Sequence, residues 1–186
     1  MKMCFIFLSM LFCSQLISAQ VKKVTINTDG DYEVTVRLGY DRFITIGPNG
    51  EITNIEINGS FDYYSDFDGE YQSGKLKRID GIQFTYYSNF DGDYRMGKIK
   101  KIGNMQLDYY SQFDGDYQIG KVKKIDNINF AYYSVFDGDH QVGKIKQIGE
   151  STFTYFSKYN SNSLTGKLKS GTTPVRNDGI SFYLQY

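Results

Sequence analysis

From residue 67 onward the chain repeats itself. Residues 67–89 read FDGEYQSGKLKRIDGIQFTYYSN, and 90–112 read FDGDYRMGKIKKIGNMQLDYYSQ. Residues 113–135 read FDGDYQIGKVKKIDNINFAYYSV, and 136–158 read FDGDHQVGKIKQIGESTFTYFSK. The four units align without a gap at a period of 23. A unit this short cannot bury an apolar face alone, so neighbouring copies must stack to make a common core. The pattern decays at both ends, as end units of an array do. Residues 50–64 resemble the second part of a unit with one residue inserted, and Asp29-Gly30-Asp31-Tyr32 echoes the FDGDY opening. Residues 159–169 keep Gly166-Lys167 but lose the acids, and Asp178-Gly179-Ile180-Ser181-Phe182 resumes the pattern after Pro174. The expected organisation is a signal peptide over 1–19, an N-terminal β cap over 20–48, tandem hairpin repeats over 49–170 and a degenerate capping strand over 171–186.

Each unit reads as two strands. In the second unit, residues 98–102 form a short strand, Gly103-Asn104 is a turn, and residues 105–111 form the second strand. The turn pairs at equivalent positions are Asp80-Gly81, Asp126-Asn127 and Gly149-Glu150. Of the four, Gly103-Asn104, Asp80-Gly81 and Asp126-Asn127 suit the positive φ of tight hairpins. Met105, Leu107 and Tyr109 alternate with Gln106, Asp108 and Tyr110, which is the period of a strand with one buried face. The columns Phe84, Leu107, Phe130, Phe153 and Tyr86, Tyr109, Tyr132, Tyr155 are therefore expected in the core. Tyr87, Tyr110, Tyr133 and Phe156 are expected on the opposite, polar face, beside Gln83, Gln106, Asn129 and Thr152. No helical period appears after the leader, and proline occurs only at Pro48 and Pro174, which leaves the strands between them uninterrupted.

Two architectures accept such a unit: an antiparallel meander of hairpins, or a β-solenoid. A solenoid would stack Asp91, Asp114 and Asp137 about 4.8 Å apart, and Lys100, Lys123 and Lys146 likewise. Repulsion at that separation is about 0.9 kcal/mol per pair even in water. A meander doubles the distance and lets salt screen the rest. The charged columns thus point to an all-β, elongated, twisted meander sheet, with the solenoid as the alternative.

The opening of each unit, Phe90-Asp91-Gly92-Asp93-Tyr94-Arg95-Met96-Gly97-Lys98 in the second, resembles the MORN repeat. That family shares the period and opens with an aromatic, any residue, Gly, an acid and an aromatic, followed by Gly-Lys. The likeness covers the first part of each full unit. Beyond Gly-Lys the family carries further glycines, where this chain has Ile99-Lys100-Lys101-Ile102. The resemblance implies a row of hairpins in one elongated sheet, used as a scaffold or for contact with proteins or lipids, and no active site.

The N-terminus has the form of a secretory signal. Lys2 precedes a mostly apolar stretch over residues 4–17, with Ser18-Ala19 as a small-residue cleavage site before Gln20. The stretch is short, and is broken by Ser9, Ser14 and Gln15, so no transmembrane segment is expected. Phe12 before Cys13 argues against a lipid anchor. The protein is accordingly expected to be exported, whether periplasmic, cell-surface or extracellular. Cys4 and Cys13 both lie in the leader, so the mature chain has no thiol for disulfides, zinc or nucleophilic catalysis. Lys plus Arg and Asp plus Glu number 21 each, a balance that offers no field for nucleic acid.

The chemistry-bearing residues are repeated rather than unique. His140, the one histidine, replaces the tyrosine of a column held by Tyr71, Tyr94 and Tyr117. Asp66-Phe67-Asp68-Gly69-Glu70 has a fragment of a calcium loop, but Asp66 becomes Asn89, Gln112 and Val135, and no metal or other cofactor is expected. Asp68 and Glu70 are expected to pair with Lys75 and Lys77 in solvated ion pairs. The columns containing Lys77-Arg78, Lys100-Lys101 and Lys123-Lys124 either meet anionic lipid or polysaccharide or keep the sheet soluble. Asn58-Gly59-Ser60 has the form of a glycosylation sequon. The candidate binding face is the row Tyr64, Tyr87, Tyr110, Tyr133, which either stacks on a protein or glycan partner or is core if both sheet faces are covered. Catalysis needs one convergent constellation, and evenly repeated carboxylates do not supply it, so no enzyme is expected. The expected function is a scaffold or surface binding module. The alternative is a self-assembling or adhesive matrix protein, with a homo-oligomer possible.

Overall fold

The computed structural model describes residues 19–172 and 180–185. Residues 1–18 of the expected signal peptide, both cysteines among them, and Pro174 lie outside the described residues, while Ala19, its expected last residue, begins the first strand of the fold. The protein is all-β, with strands in two sheets joined mostly as antiparallel hairpins, and the sheet of repeats is the meander rather than the solenoid.

The repeat sheet contains ten strands in strict chain order. They are β5 (Phe61–Tyr63), β6 (Leu76–Ile79), β7 (Ile82–Tyr86), β8 (Ile99–Ile102), β9 (Met105–Tyr109), β10 (Val122–Ile125), β11 (Ile128–Tyr132), β12 (Ile145–Ile148), β13 (Ser151–Tyr155) and β14 (Leu168–Thr172). Two-residue turns join the strands at one margin, and the FDGDY connections join them at the other. At each turn the first residue has positive φ: 43° at Asp80, 58° at Gly103, 49° at Asp126 and 57° at Gly149. Glycine reaches this region freely, and Asp is among the few other residues that tolerate it.

The second sheet has the order β15-β1-β2-β3-β4. Its strands are β1 (Ala19–Ile26), β2 (Tyr32–Leu38), β3 (Phe43–Ile46), β4 (Ile52–Glu56) and β15 (Ser181–Leu184), with β15 parallel to β1. The residues expected to cap the end of the array instead cover its face. The boundary between the sheets falls between β4 and β5, so residues 52–56, which resemble part of a repeat, pair with the N-terminal strands. The last strand also returns to the N-terminal sheet. The reason is the inner face of the repeat sheet. Phe84, Leu107, Phe130 and Phe153 are at most 1% exposed, and an open single sheet would have left them in water. Val34, Val36, Ile44 and Ile46 supply the facing layer and join them in one continuous core.

The two layers are also tied by polar contacts. Tyr32 stacks near Phe130, with ring centroids 5.3 Å apart, and its hydroxyl lies 2.6 Å from that of Tyr132. Tyr132 donates its own proton to the Val122 carbonyl, which makes Tyr32 the donor of the pair. The backbone N–H of Val122 donates to the Pro48 carbonyl, and that of Leu168 to the Thr28 carbonyl. The β3–β4 turn comes so close that a Cβ on Gly50 would lie 2.1 Å from the Tyr109 hydroxyl oxygen, and Gly50 has φ of 78°. Only glycine fits there on both grounds.

Candidate functional site

Each FDGDY connection is built by a serine and an aspartate three residues apart. Ser88 gives its backbone N–H and its hydroxyl to one oxygen of Asp91, both at 2.8 Å. Ser65 and Asp68, Ser111 and Asp114, and Ser134 and Asp137 repeat the arrangement. Ser157 does the same with Asn160 in the fifth connection, where the sequence pattern had decayed. This reciprocal bonding winds a single tight turn. The glycine that follows the aspartate leaves the turn at φ near 105–109° in all four acidic copies, a region that side chains rarely enter. The serine bonds pull the aspartate carboxyls below their usual range, to about 2 at Asp137. Lys77, Lys100, Lys123 and Lys146 add ion pairs to the same four aspartates, at 3.1–3.6 Å. Lys77 thus pairs as expected. Lys75 does not, because its ammonium donates to the carbonyls of Tyr71 and Gly97 and so staples one connection to the next.

The tyrosine row Tyr64, Tyr87, Tyr110, Tyr133 is packed in rather than displayed. Tyr64 and Tyr87 are buried, and Tyr110 and Tyr133 are half-buried. Each hydroxyl donates to a backbone carbonyl of the next unit: Phe84, Leu107, Phe130 and Phe153 respectively. Each ring meets the neighbouring column edge to face, as Tyr87 meets Tyr109 at 6.0 Å and 80°. The alternation that assigned these rings to the polar face stops one residue earlier. Between Thr85 and Tyr86 the pairing partner jumps from Lys101 to Ile99, leaving Lys100 as the extra residue of a β-bulge. Lys77, Lys123, Lys146 and Lys169 are skipped in the same way. The bulge turns the second tyrosine inward and sets the lysine over its ring, with Lys100 5.1 Å from the Tyr87 centroid. One column of lysines is therefore committed to structure.

The rings that are displayed are the phenylalanines that open each unit. Phe67, Phe90, Phe113 and Phe136, with Tyr159 in the fifth connection, are 87–101% exposed. Each sits inside the serine–aspartate turn, which holds the backbone so that the side chain points away from the sheet. Met96 and Ile119, further along the same connections, are also substantially exposed. A phenyl ring left in water forgoes about 1.5–3 kcal/mol of burial. Five such rings recur on one margin at positions that the core does not use. The sequence does contain a signal for this. The phenylalanine column lies outside both strands, where period-two reasoning assigns no face, and the residue before it varies as Asp66, Asn89, Gln112, Val135 and Lys158 while the aromatic stays.

Beside these rings stand Glu70, Asp93, Asp116 and Asp139. All four are exposed and make no hydrogen bond or ion pair among the described residues. His140 packs on Gly138 in the column of Tyr71, Tyr94 and Tyr117, with no carboxylate or hydroxyl bonded to it. Among the described residues no three His, Asp or Glu side chains converge as metal ligands. No described helix is long and apolar enough to cross a membrane.

Comparison of the chain with family models, with curated proteins and with solved structures gives no match.

Proposed function

We propose that this protein is an exported, non-enzymatic scaffold whose repeat sheet presents a row of aromatic tips to an extended partner. The observation that carries the reading is the near-complete exposure of Phe67, Phe90, Phe113, Phe136 and Tyr159 on turns that are themselves rigidly hydrogen-bonded. Rigid display lowers the ordering cost of binding. The row is a repeated contact with equivalent positions, which suits multivalent adhesion and not a single chemical step. Sheet twist rotates successive tips, so a narrow chain can touch them all whereas a flat surface cannot. The likeness of the unit opening to the MORN repeat agrees with a scaffold role.

The test is a triple variant, Phe90→Ser with Phe113→Ser and Phe136→Ser, compared with the parent protein on peptide and glycan arrays. The rings are exposed, so the variant keeps its melting temperature within about 2 °C. Array signals carried by the parent are lost in the variant. A parent with no signal, or signals that survive the triple change, would defeat the reading. Light scattering of both proteins separates self-assembly: association that depends on concentration in the parent and vanishes in the variant would make a second copy the partner.

A further inference from the structure

We infer that a cleft between the two sheets, beside the β3–β4 turn, is a binding site for an apolar carboxylate of the fatty-acid class. The cleft is separate from the aromatic margin and does not depend on that margin binding anything.

The site is a place where the repeat is left incomplete. The residue before each bulged lysine gives its carbonyl to a core tyrosine of the following strand. Tyr86 donates to Leu76, Tyr109 to Ile99, Tyr132 to Val122 and Tyr155 to Ile145. The N–H and C=O of one strand residue point to the same side, so the N–H groups of this column turn toward the same tyrosines. Where the second sheet covers the array, its turns supply the acceptor. The Val122 N–H donates to the Pro48 carbonyl at 2.8 Å, and the Leu168 N–H to the Thr28 carbonyl at 2.7 Å. No turn carbonyl among the described residues reaches the N–H of Leu76 or Ile99. These two residues line a cleft of about 530 Å³ instead, a size within the range of small-molecule sites. The copies thus show what belongs there: an acceptor oxygen, which the chain provides at Val122 and Leu168 and leaves to a ligand at Leu76 and Ile99.

The rest of the lining selects the group that carries this oxygen. Ile52, Leu76, Ile99 and the ring of Tyr86 make the cleft largely apolar, and Lys75 and Lys98 stand in its wall. Neither ammonium belongs to an ion pair among the described residues. Burial lowers the pKa of both, and at Lys98 the nearby Glu51 opposes the effect while Lys75 adds to it. Lys75 gives two protons to the carbonyls of Tyr71 and Gly97, and Lys98 gives one to the Asn49 carbonyl. An ammonium has three, so each keeps donor capacity. Glu51 is the one carboxylate of the lining, and it turns back on its own turn to accept the Asn49 N–H at 3.0 Å. Two lysines and one glutamate leave a single net positive charge, which one carboxylate neutralises. Its oxygens accept from amide and ammonium together, and an apolar chain covers Ile52, Leu76 and Ile99. An alcohol would leave the half-desolvated ammoniums uncompensated, and a small hydrophilic anion would leave the apolar lining wet.

The experiment is calorimetric titration of the protein with decanoate below its micelle concentration, compared with decanol, decylammonium and acetate, and paired with amide NMR. Decanoate binds, and the amide protons of Leu76 and Ile99 move downfield while that of Val122 stays in place. The other three bind at least about tenfold more weakly. Lys98→Gln lowers the decanoate affinity about tenfold, the loss of one charge-assisted hydrogen bond. Ile52→Trp fills the cleft and abolishes binding. Lys121→Gln, the equivalent lysine of the next unit, leaves it unchanged, as does Phe113→Ala. Measurements on the parent decide the matter even where a variant does not fold. Decanol that binds as tightly as decanoate overturns the inference, and so does decanoate that leaves the Leu76 and Ile99 amide protons in place. Decanoate affinity that is unchanged in folded Lys98→Gln and Ile52→Trp overturns it too. Binding lost in Phe113→Ala and kept in Ile52→Trp would move the ligand to the aromatic margin, which removes the cleft as a site and leaves the proposed scaffold role standing.

Discussion

Two aromatic columns run the length of the repeat sheet, only three residues apart in sequence. Tyr87, Tyr110 and Tyr133 turn inward and spend their hydroxyls on backbone carbonyls, while Phe90, Phe113 and Phe136 point into water. Residue type alone would have placed them the other way round, since Tyr carries a polar tip and Phe does not. The local backbone decides instead. A bulged lysine bends the strand end so that the tyrosine joins the core, and the serine–aspartate turn that begins at the next residue fixes the phenylalanine outside it. A repeat can thus build its wall and its display from the same kind of side chain.

Truncation tests this contrast most severely. Tyr109 is fully buried, its hydroxyl donates to the Ile99 carbonyl, and Gly50 lies against its ring. Tyr109→Ala is expected to cost about 3–5 kcal/mol, as large-to-small changes of buried aromatics do. Phe113→Ala, four residues on, is expected to stay within about 0.5 kcal/mol of the parent. Urea denaturation measures both. A loss above about 1.5 kcal/mol for Phe113→Ala would mean that the display column is part of the core after all.

Gly50→Ala approaches the same tyrosine from the other sheet. The added methyl meets a fixed ring and adopts a φ that favours glycine, so a loss of about 2–3 kcal/mol is expected in the same assay. An unchanged midpoint would show that the two sheets are not pressed together at this turn.

Much of this architecture was legible because it is local. The hairpin turns are written in Asp80-Gly81 and Gly103-Asn104, and the core columns in the alternation of Met105, Leu107 and Tyr109. What could not be read depends on partners distant in sequence. The bulge at Lys100 is a register property of two strands, and nothing in Lys-Lys announces which lysine will be skipped. The covering of Phe84 and Phe130 by Val34 and Ile44 needs the two sheets to meet, and a cap looks the same in sequence whether it closes an end or a face. The aromatic margin was missed because strand logic assigns faces only to strands, and Phe90 sits in a turn.

A smaller break concerns the last full unit. Ile82, Met105 and Ile128 begin their strands with apolar side chains, but the equivalent Ser151 is fully buried and its hydroxyl has no partner among the described residues. A buried hydroxyl without a hydrogen bond costs about 1–3 kcal/mol of desolvation. Ser151→Ala is therefore expected to stabilise the protein by about 1 kcal/mol. A loss instead would mean that the hydroxyl is satisfied by water.

The smallest expected effects separate the columns by pH. Burial pushes the phenols of Tyr86, Tyr109, Tyr132 and Tyr155 well above their ordinary value, so these groups stay neutral in the fold while the unfolded chain ionises near pH 10. Below pH 10 their contribution is complete, and it fades as pH climbs toward the raised folded values. The aspartates of the serine turns run in the opposite sense. Their folded pKa values are depressed, so their contribution is present above about pH 4 and fades as pH falls toward 2. These carboxylates are solvent-facing, and the acid effect is accordingly slight. Asp137→Asn isolates it: the variant loses the pH dependence of stability between about pH 4 and 2 that this one turn contributes, while the alkaline limb is unchanged. If the acid limb moved with Tyr132→Phe instead, acid stability would reside in the wall and not in the turns that carry the display.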